Sequence, residues 1–491
     1  VNAGAVTMKD AEAEINAGSN IDIKAQTLTA EGSLSLSSTA GSADMNVEQK
    51  VEVEKELTVK GHSGATVSAT ALEAQSTFIG SDSGTALLKT NTLTSDSLNM
   101  TSTEGDVAFK VLSEEAKPNI TIEDSIDLKS GKNLDVSALN HYDNLELKKD
   151  LRLSAEKGEL TGLNSSSKLS IVAGNVEILA KTGAQTIAKV QAAGTVNVAV
   201  EDLSIGEVEA KEKITLAGTK KVSVGQVTST GDANGDILVK SSEGEVLATG
   251  TIQSKSGGVS IVGKEKVEAT TIEASTDVSV TSDNNGIIVQ KITSANGAVS
   301  LDSLSFINAD SISAAQKASI TTEGSLKLPS LVADSAYVKA KDISADHSVD
   351  IKTKGDIDVD ATSIHSKSIK LSSSGGNISI EAANDWTVVG DVNISASGEN
   401  AKVEVGSQKE SVTGGAFNIN TPNGAAKVYG NKGLTIDHDL AITAGKDTTL
   451  FTESGDLDIG SKAQIHAINT SGISKLNVQS GGNLSIGEDA D

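Results

Sequence analysis

The chain has 491 residues, 66 acidic side chains against 41 lysines and arginines, a formal net charge of −25, and no cysteine. The charge argues against a nucleic-acid partner, since binding phosphates needs clustered cations, and the missing thiols exclude a disulfide scaffold and a thiolate zinc site. Aromatics at 2% are too sparse to fill an irregular globular core, while 37% hydrophobic residues at regular positions are too many for a disordered chain.

The first residues, Val1-Asn2-Ala3-Gly4, are neither an initiator methionine nor a signal peptide, so a processed form or a fragment is expected. Alternating apolar pairs begin at Ile21/Ile23 and Leu34/Leu36. Period-two alternation predicts strands with one face in and one face out. Residues 109–150 are less regular, with Glu114-Glu115-Ala116-Lys117-Pro118 and Asn140-His141-Tyr142-Asp143 read as loops bulging from the repeat. Leu145/Leu147 and Leu151/Leu153 favour strands over a helix across 145–156.

The repeat is clearest from residue 251. Ile252, Ile272, Ile292 and Ile312 recur at one constant spacing, a period of about 20 residues. Val259, Val278, Val299 and Ala318 keep the same phase, and a third cluster includes Ile287/Val289 and Leu326/Leu328. The interval from Ile312 to Ile343 is half as long again, which predicts an insertion near 329–340. The pattern resumes with Ile343, Val349/Ile351 and Ile357/Val359, then Ile364, Ile369/Leu371 and Ile378/Ile380. It runs on to Leu457/Ile459, Leu476/Val478 and Leu484/Ile486.

Three short strands in each such period predict an all-β fold, a right-handed parallel β-helix in which each coil buries its apolar residues by stacking on the next. One continuous solenoid over 1–491 is expected, with roughly 23 coils and a length on the order of 110 Å. No run of 18 apolar residues is present, so no transmembrane helix is expected.

Segments such as residues 15–38, with inward aliphatics separated by Asn, Gly, Ala and Ser, resemble the repeat region of filamentous-haemagglutinin-like exoproteins, the bacterial adhesins exported by two-partner secretion. The resemblance covers nearly the whole chain and is one of repeat grammar. It implies a β-helical adhesin stalk at the cell surface. The family's N-terminal secretion domain carries an Asn-Pro-Asn motif; here the nearest match is Thr421-Pro422-Asn423-Gly424. No secretion domain is therefore placed in this chain. An autotransporter passenger is the related possibility.

Catalysis on a β-helix would need a basic residue or carboxylate pair in a cleft, with aromatics to hold sugar. Arg152 is the sole arginine and Trp386 the sole tryptophan. Gly-x-Ser-x-Gly, Walker and His-Glu-x-x-His motifs are absent. No catalytic residue and no cofactor are expected.

Asp232, Asn234 and Asp236 are spaced like the start of a calcium loop with Glu243 at the closing position, but Ile237 stands where such a loop needs glycine. A turn is the preferred reading, with calcium the alternative. Asp356, Asp358 and Asp360 form an acidic row on one outer face, and His347 and His365 lie about one coil apart. Seven Asn-x-Ser/Thr sites, at Asn99, Asn119, Asn164, Asn377, Asn393, Asn469 and Asn483, are near the number chance provides in so Ser- and Thr-rich a chain. Gly414–Asn420 reads GGAFNIN, like motifs of chlamydial passenger proteins, and Trp386 is expected to fill the core.

The function expected is a non-catalytic extracellular rod, the stalk of a bacterial surface adhesin, with adjoining solenoid segments and an unidentified surface receptor as partners. The alternatives are a fibre or sheath subunit joined through uncapped solenoid ends and a carbohydrate-active enzyme.

Overall fold

The computed structural model describes residues 1–9, 11–113, 118–141, 143–163, 169–467, 474–487 and 489–490, with the backbone alone at 141, 344–347, 467, 489 and 490. It is all-β, with parallel strands stacked into a β-solenoid of about 21 turns. Among the described residues the one helical element is a short 3-10 turn, Ser137–His141. The chain forms two compact units, Val1–Gly244 and Glu245–Asp491.

In the second unit the expected grammar is realised residue by residue. Val267–Ala274 and Val278–Ser282 hold the three inward segments of one coil, namely Val267/Ala269, Ile272/Ala274 and Val278/Val280. Each apolar position lies beside its equivalent one coil on. Val267, Ile287, Ile307 and Leu326 make one ladder, and Ile272, Ile292, Ile312, Leu331 and Ile351 another. Ile292 is fully buried. Burial of such a side chain stabilises by about 1.5–3 kcal/mol. A coil alone has no layer above or below, so stacking supplies the whole core.

The first unit is built the same way. Its strands run longer because segments join through bulges without a break, as in Ser42–Gly61, Gly64–Ser81 and Ala86–Ser102. Leu34, Leu57, Thr77, Leu98, Ile126 and Leu151 form one inward column.

Two expectations need correction. No insertion occupies 329–340. Ser330–Ala333 continues the ladder with Leu331 beside Ile312, and Ser335–Thr353 follows with Ala336 beside Ala318. Leucine had taken the isoleucine position, and Ile343 belongs to a different ladder, beside Leu326. The irregular region 109–150 is less looped than its composition suggested, since Asn119–Ser130, Leu134–Asp135 and Asn144–Glu146 are strands. Residues 114–117 and Tyr142 lie outside the described residues. The 3-10 turn lies between Leu134 and its partner Leu160, which stand further apart in sequence than one regular period. Longer turns account for about 21 coils where a uniform period gave roughly 23.

Ile292→Asp should open its coil, because it buries an unpaired charge at a cost of several kcal/mol. Asp302→Ala, on the exposed side of its strand, should stay within about 0.5 kcal/mol of the parent. Limited proteolysis and thermal melts of the two variants check the difference; equal effects would overturn the inward register.

Candidate functional site

The polar residues that organise the solenoid sit at its corners. At the end of a strand a buried Ser donates its hydroxyl proton to a carbonyl of the preceding coil and accepts the backbone N–H three residues ahead. Ser294 Oγ donates to Thr276 O at 2.6 Å and accepts from Gly297 N at 3.0 Å. Ser38, Ser102 and Ser373 make the same pair of bonds, to Ser19 O and Gly41 N, Gly84 O and Gly105 N, and Gly355 O and Gly376 N. A corner bends backbone groups out of the parallel ladder, and buried polar groups must find partners elsewhere. The hydroxyl serves two of them at once.

Just before the next inward strand, an Asp or Asn plays a second part. Asp356 Oδ1 accepts from Asn377 N at 2.7 Å, and Asn377 Oδ1 in turn accepts from Lys402 N at 2.8 Å. Asp150, Asn175 and Thr195 repeat the relay in the first unit.

These corners absorb several of the motifs. Thr421-Pro422-Asn423-Gly424 is a corner, with Thr421 Oγ1 donating to Ala401 O at 3.3 Å and Gly424 N donating to Thr421 O at 3.1 Å. Asp232, Asn234 and Asp236 occupy one exposed turn, where Asn234 adopts a left-handed φ of 58°. Ile237 is buried and starts the strand Ile237–Ser241, and Glu243 lies beyond that strand. Among the described residues no group of three or more His, Asp or Glu side chains is placed to hold a metal ion.

Of the acidic row, Asp356 belongs to the corner relay, whereas Asp358 and Asp360 face outward, with Asp360 beside Glu381 in the next coil. Burial pushes the Asp358 carboxyl above its ordinary value, helped by the charges of Asp360, Glu381 and Asp356. His365 is beside Ser344 and not His347, and its Nδ1 lies 3.2 Å from Asp342 Oδ1. The side chain of His347 lies outside the described set. Asn377 and Asn393 make corner or cross-coil hydrogen bonds, and Asn164 and Asn469 lie outside the described residues.

Gly414–Asn420 has a packing explanation. Phe417 is buried between Val392 and Leu440, and its ring takes the space a Cβ at Gly414 would need, 2.4 Å away. Trp386 is 1% exposed between Ile364 and Val412, the core position expected of it.

The outward faces carry ion pairs between neighbouring coils, including Lys50–Glu73 at 2.8 Å, Lys189–Glu207 at 3.0 Å and Lys427–Glu404 at 2.5 Å. Hydrogen bonds to Glu73 and Glu52 hold Lys50 above the usual lysine range. Burial, with Glu381 and Glu404 nearby, pushes the Tyr429 hydroxyl up. Exposed pairs of this kind contribute about 0–1 kcal/mol each. They form a solvated coat.

No protein-family model, no curated protein and no solved structure matches this chain.

The corner hydroxyl was missed in the sequence, although a signal for it exists. Ser followed three residues later by Gly recurs at Ser38, Ser81, Ser102, Ser241, Ser254, Ser294 and Ser373, each at the end of an alternating run.

Ser294→Ala strands Gly297 N–H and Thr276 C=O together, and should cost about 1–3 kcal/mol; faster hydrogen exchange at the Gly297 amide would register the loss. A raised carboxyl pKa means that the folded state favours protonated Asp358. Its contribution is present below about pH 4, the unfolded value, and is lost as pH rises through the folded value. Asp358→Asn should therefore raise the thermal midpoint at about pH 7, and the gain should fade at about pH 3. A gain equal at both values would contradict the electrostatic origin.

Proposed function

We propose that the chain is a non-catalytic structural segment of a bacterial surface adhesin, a β-solenoid stalk that holds binding parts away from the cell. The observation that carries this reading is the commitment of residues to stacking. In each unit the inward positions build ladders, the corner hydroxyls and carboxamides tie coil to coil, and the outward positions form a charged coat. Parallel ladders resist local opening because each strand is hydrogen-bonded on both sides. An acidic coat keeps neighbouring molecules apart. The repeat grammar of residues 15–38 and its resemblance to filamentous-haemagglutinin-like exoproteins supports the extracellular, cell-surface assignment.

Negative-stain electron microscopy of the purified chain, at several concentrations and with and without calcium, tests the reading. Discrete particles whose size does not change with concentration are expected. Long filaments would overturn the stalk in favour of a fibre subunit. Release of sugars from a polysaccharide panel would overturn the non-catalytic assignment.

A further inference from the structure

The described aromatic side chains fall into two sets. Phe109, Trp386 and Phe417 are buried in the interior. Phe306, Tyr337, Tyr429, Phe451 and Phe78 occupy outward phases of their strands. The first four of these pack on the surface. The Phe306 ring fills the space over Gly286, and Tyr429 lies over Gly406 with Lys427 Nζ 4.3 Å from its ring centre. Phe451 is the neighbour of Tyr429 in the next coil, and Tyr337 carries Lys317 Nζ at 5.3 Å.

Phe78 is packed in the same way, its ring over Gly80 and beside Lys60, and differs in lining a groove. Its own column is polar on both sides, with Thr58 in one neighbouring coil and Asn99 in the other. Thr77 and Ile79 take the inward positions, so the phenyl ring adds nothing to the core. It stands instead in the wall of a groove of about 400 Å3 in the first unit. Gly80 lies in the adjacent outward column, between Lys60 and Thr101, and leaves room for the ring, which a Cβ there would approach to 2.7 Å. Lys60 Nζ is 5.0 Å from the ring centre and has no carboxylate at ion-pair distance among the described residues.

The next corner closes the groove with His62 and Asp82, whose Nδ1 and Oδ2 are 3.0 Å apart. An ionised carboxylate only accepts, so Nδ1 donates to Asp82, and Nε2 is left for a ligand hydroxyl, which can meet it as donor to the neutral ring or acceptor from the charged one. The hydroxyls of Ser37, Thr39, Thr101 and Thr103 line the remainder.

We propose that this groove is a binding subsite for a neutral hexopyranose unit of a glycan. A pyranose offers a C–H face, which suits an aromatic ring, and a rim of hydroxyls that both donate and accept. The groove offers the ring of Phe78, donors on Lys60, acceptors on Asp82, and His62 and hydroxyls able to do either. Lys60 and Asp82 balance in charge, which fits a neutral ligand better than an anionic one. The volume lies low in the range of small-molecule sites, about 300–1,000 Å3. The subsite stands independently of the stalk reading.

Saturation-transfer-difference NMR on the whole chain tests this. The probes are methyl β-D-galactopyranoside, methyl α-D-mannopyranoside, methyl β-D-glucopyranoside and N-acetyl-D-glucosamine, with D-glucuronate as the charged comparison. At least one neutral sugar should receive saturation on its ring protons. Phe78→Ala should weaken that binding at least about ten-fold, the loss expected when one well-placed contact worth about 1.4 kcal/mol is removed. Asp82→Asn and His62→Ala, both at exposed positions, should weaken it several-fold, and Tyr337→Ala should leave it unchanged. Circular dichroism and melting establish that each variant is folded, and the exposed Asp82→Asn decides the matter if Phe78→Ala is not. Transfer to none of the neutral sugars, to D-glucuronate alone, or undiminished transfer in the folded groove variants would overturn the proposal.

Discussion

A coil of this protein makes its strand hydrogen bonds with the coils before and after it, so every corner faces the same difficulty. The chain must turn, and turning takes backbone donors and acceptors out of the ladder. The buried serine hydroxyl resolves this by reaching back to a carbonyl of the preceding coil while holding the N–H three residues ahead, as Ser294 does with Thr276 and Gly297. Each such group would otherwise be buried without a partner, at a cost of about 1–3 kcal/mol. The inward ladders depend on this arrangement, because a corner that slips by one residue would turn every side chain of the following strand to the opposite face.

The interior tolerates variation as long as the local volume is conserved. Leu331 takes the place of isoleucine in its ladder, and Thr77 sits among leucines with its hydroxyl 3.4 Å from that of Ser95. One large ring enters where a small residue leaves room for it. Phe417 has Gly414 beside it, and Trp386 stands at a position occupied by isoleucine and valine in the neighbouring coils. Close packing at near-crystalline density explains why such exchanges come in matched sets.

Much of the fold was legible in the sequence because period-two alternation and a recurring phase of constant length are direct imprints of a stacked coil. The register of Ile343, Val349 and Ile351 against Ile364, Ile369 and Leu371 was readable for that reason. The apparent insertion at 329–340 came from following isoleucine alone, when the ladder accepts any aliphatic residue of similar size. A single serine in a Ser-rich chain gives no sign that its hydroxyl is buried, and the corner is legible only from the recurrence of serine and glycine three residues apart at the end of alternating runs. Asp232, Asn234 and Asp236 have the spacing of the start of a calcium loop and lie in one exposed turn, with Ile237 drawn inward by the strand that follows. Phe78 was legible in principle, as its outward phase follows from Thr77 and Ile79. The groove around it is assembled from four coils and has no signature in any one of them.

The stretch of chain between stacked partners is not constant along the solenoid. It is short between Leu326 and Ile343 and more than half as long again between Thr448 and Leu476. The ladders on either side of these corners keep their phase. Closing a longer loop costs little more than closing a short one, since the entropy grows only with the logarithm of length. A coil can therefore gain or lose several residues at one corner without disturbing its neighbours, and a whole coil can be duplicated or deleted by joining equivalent corners. The heritable unit of such a protein is the coil, and its corners are the places where length and new surface chemistry can be tried while the interior stays as it was.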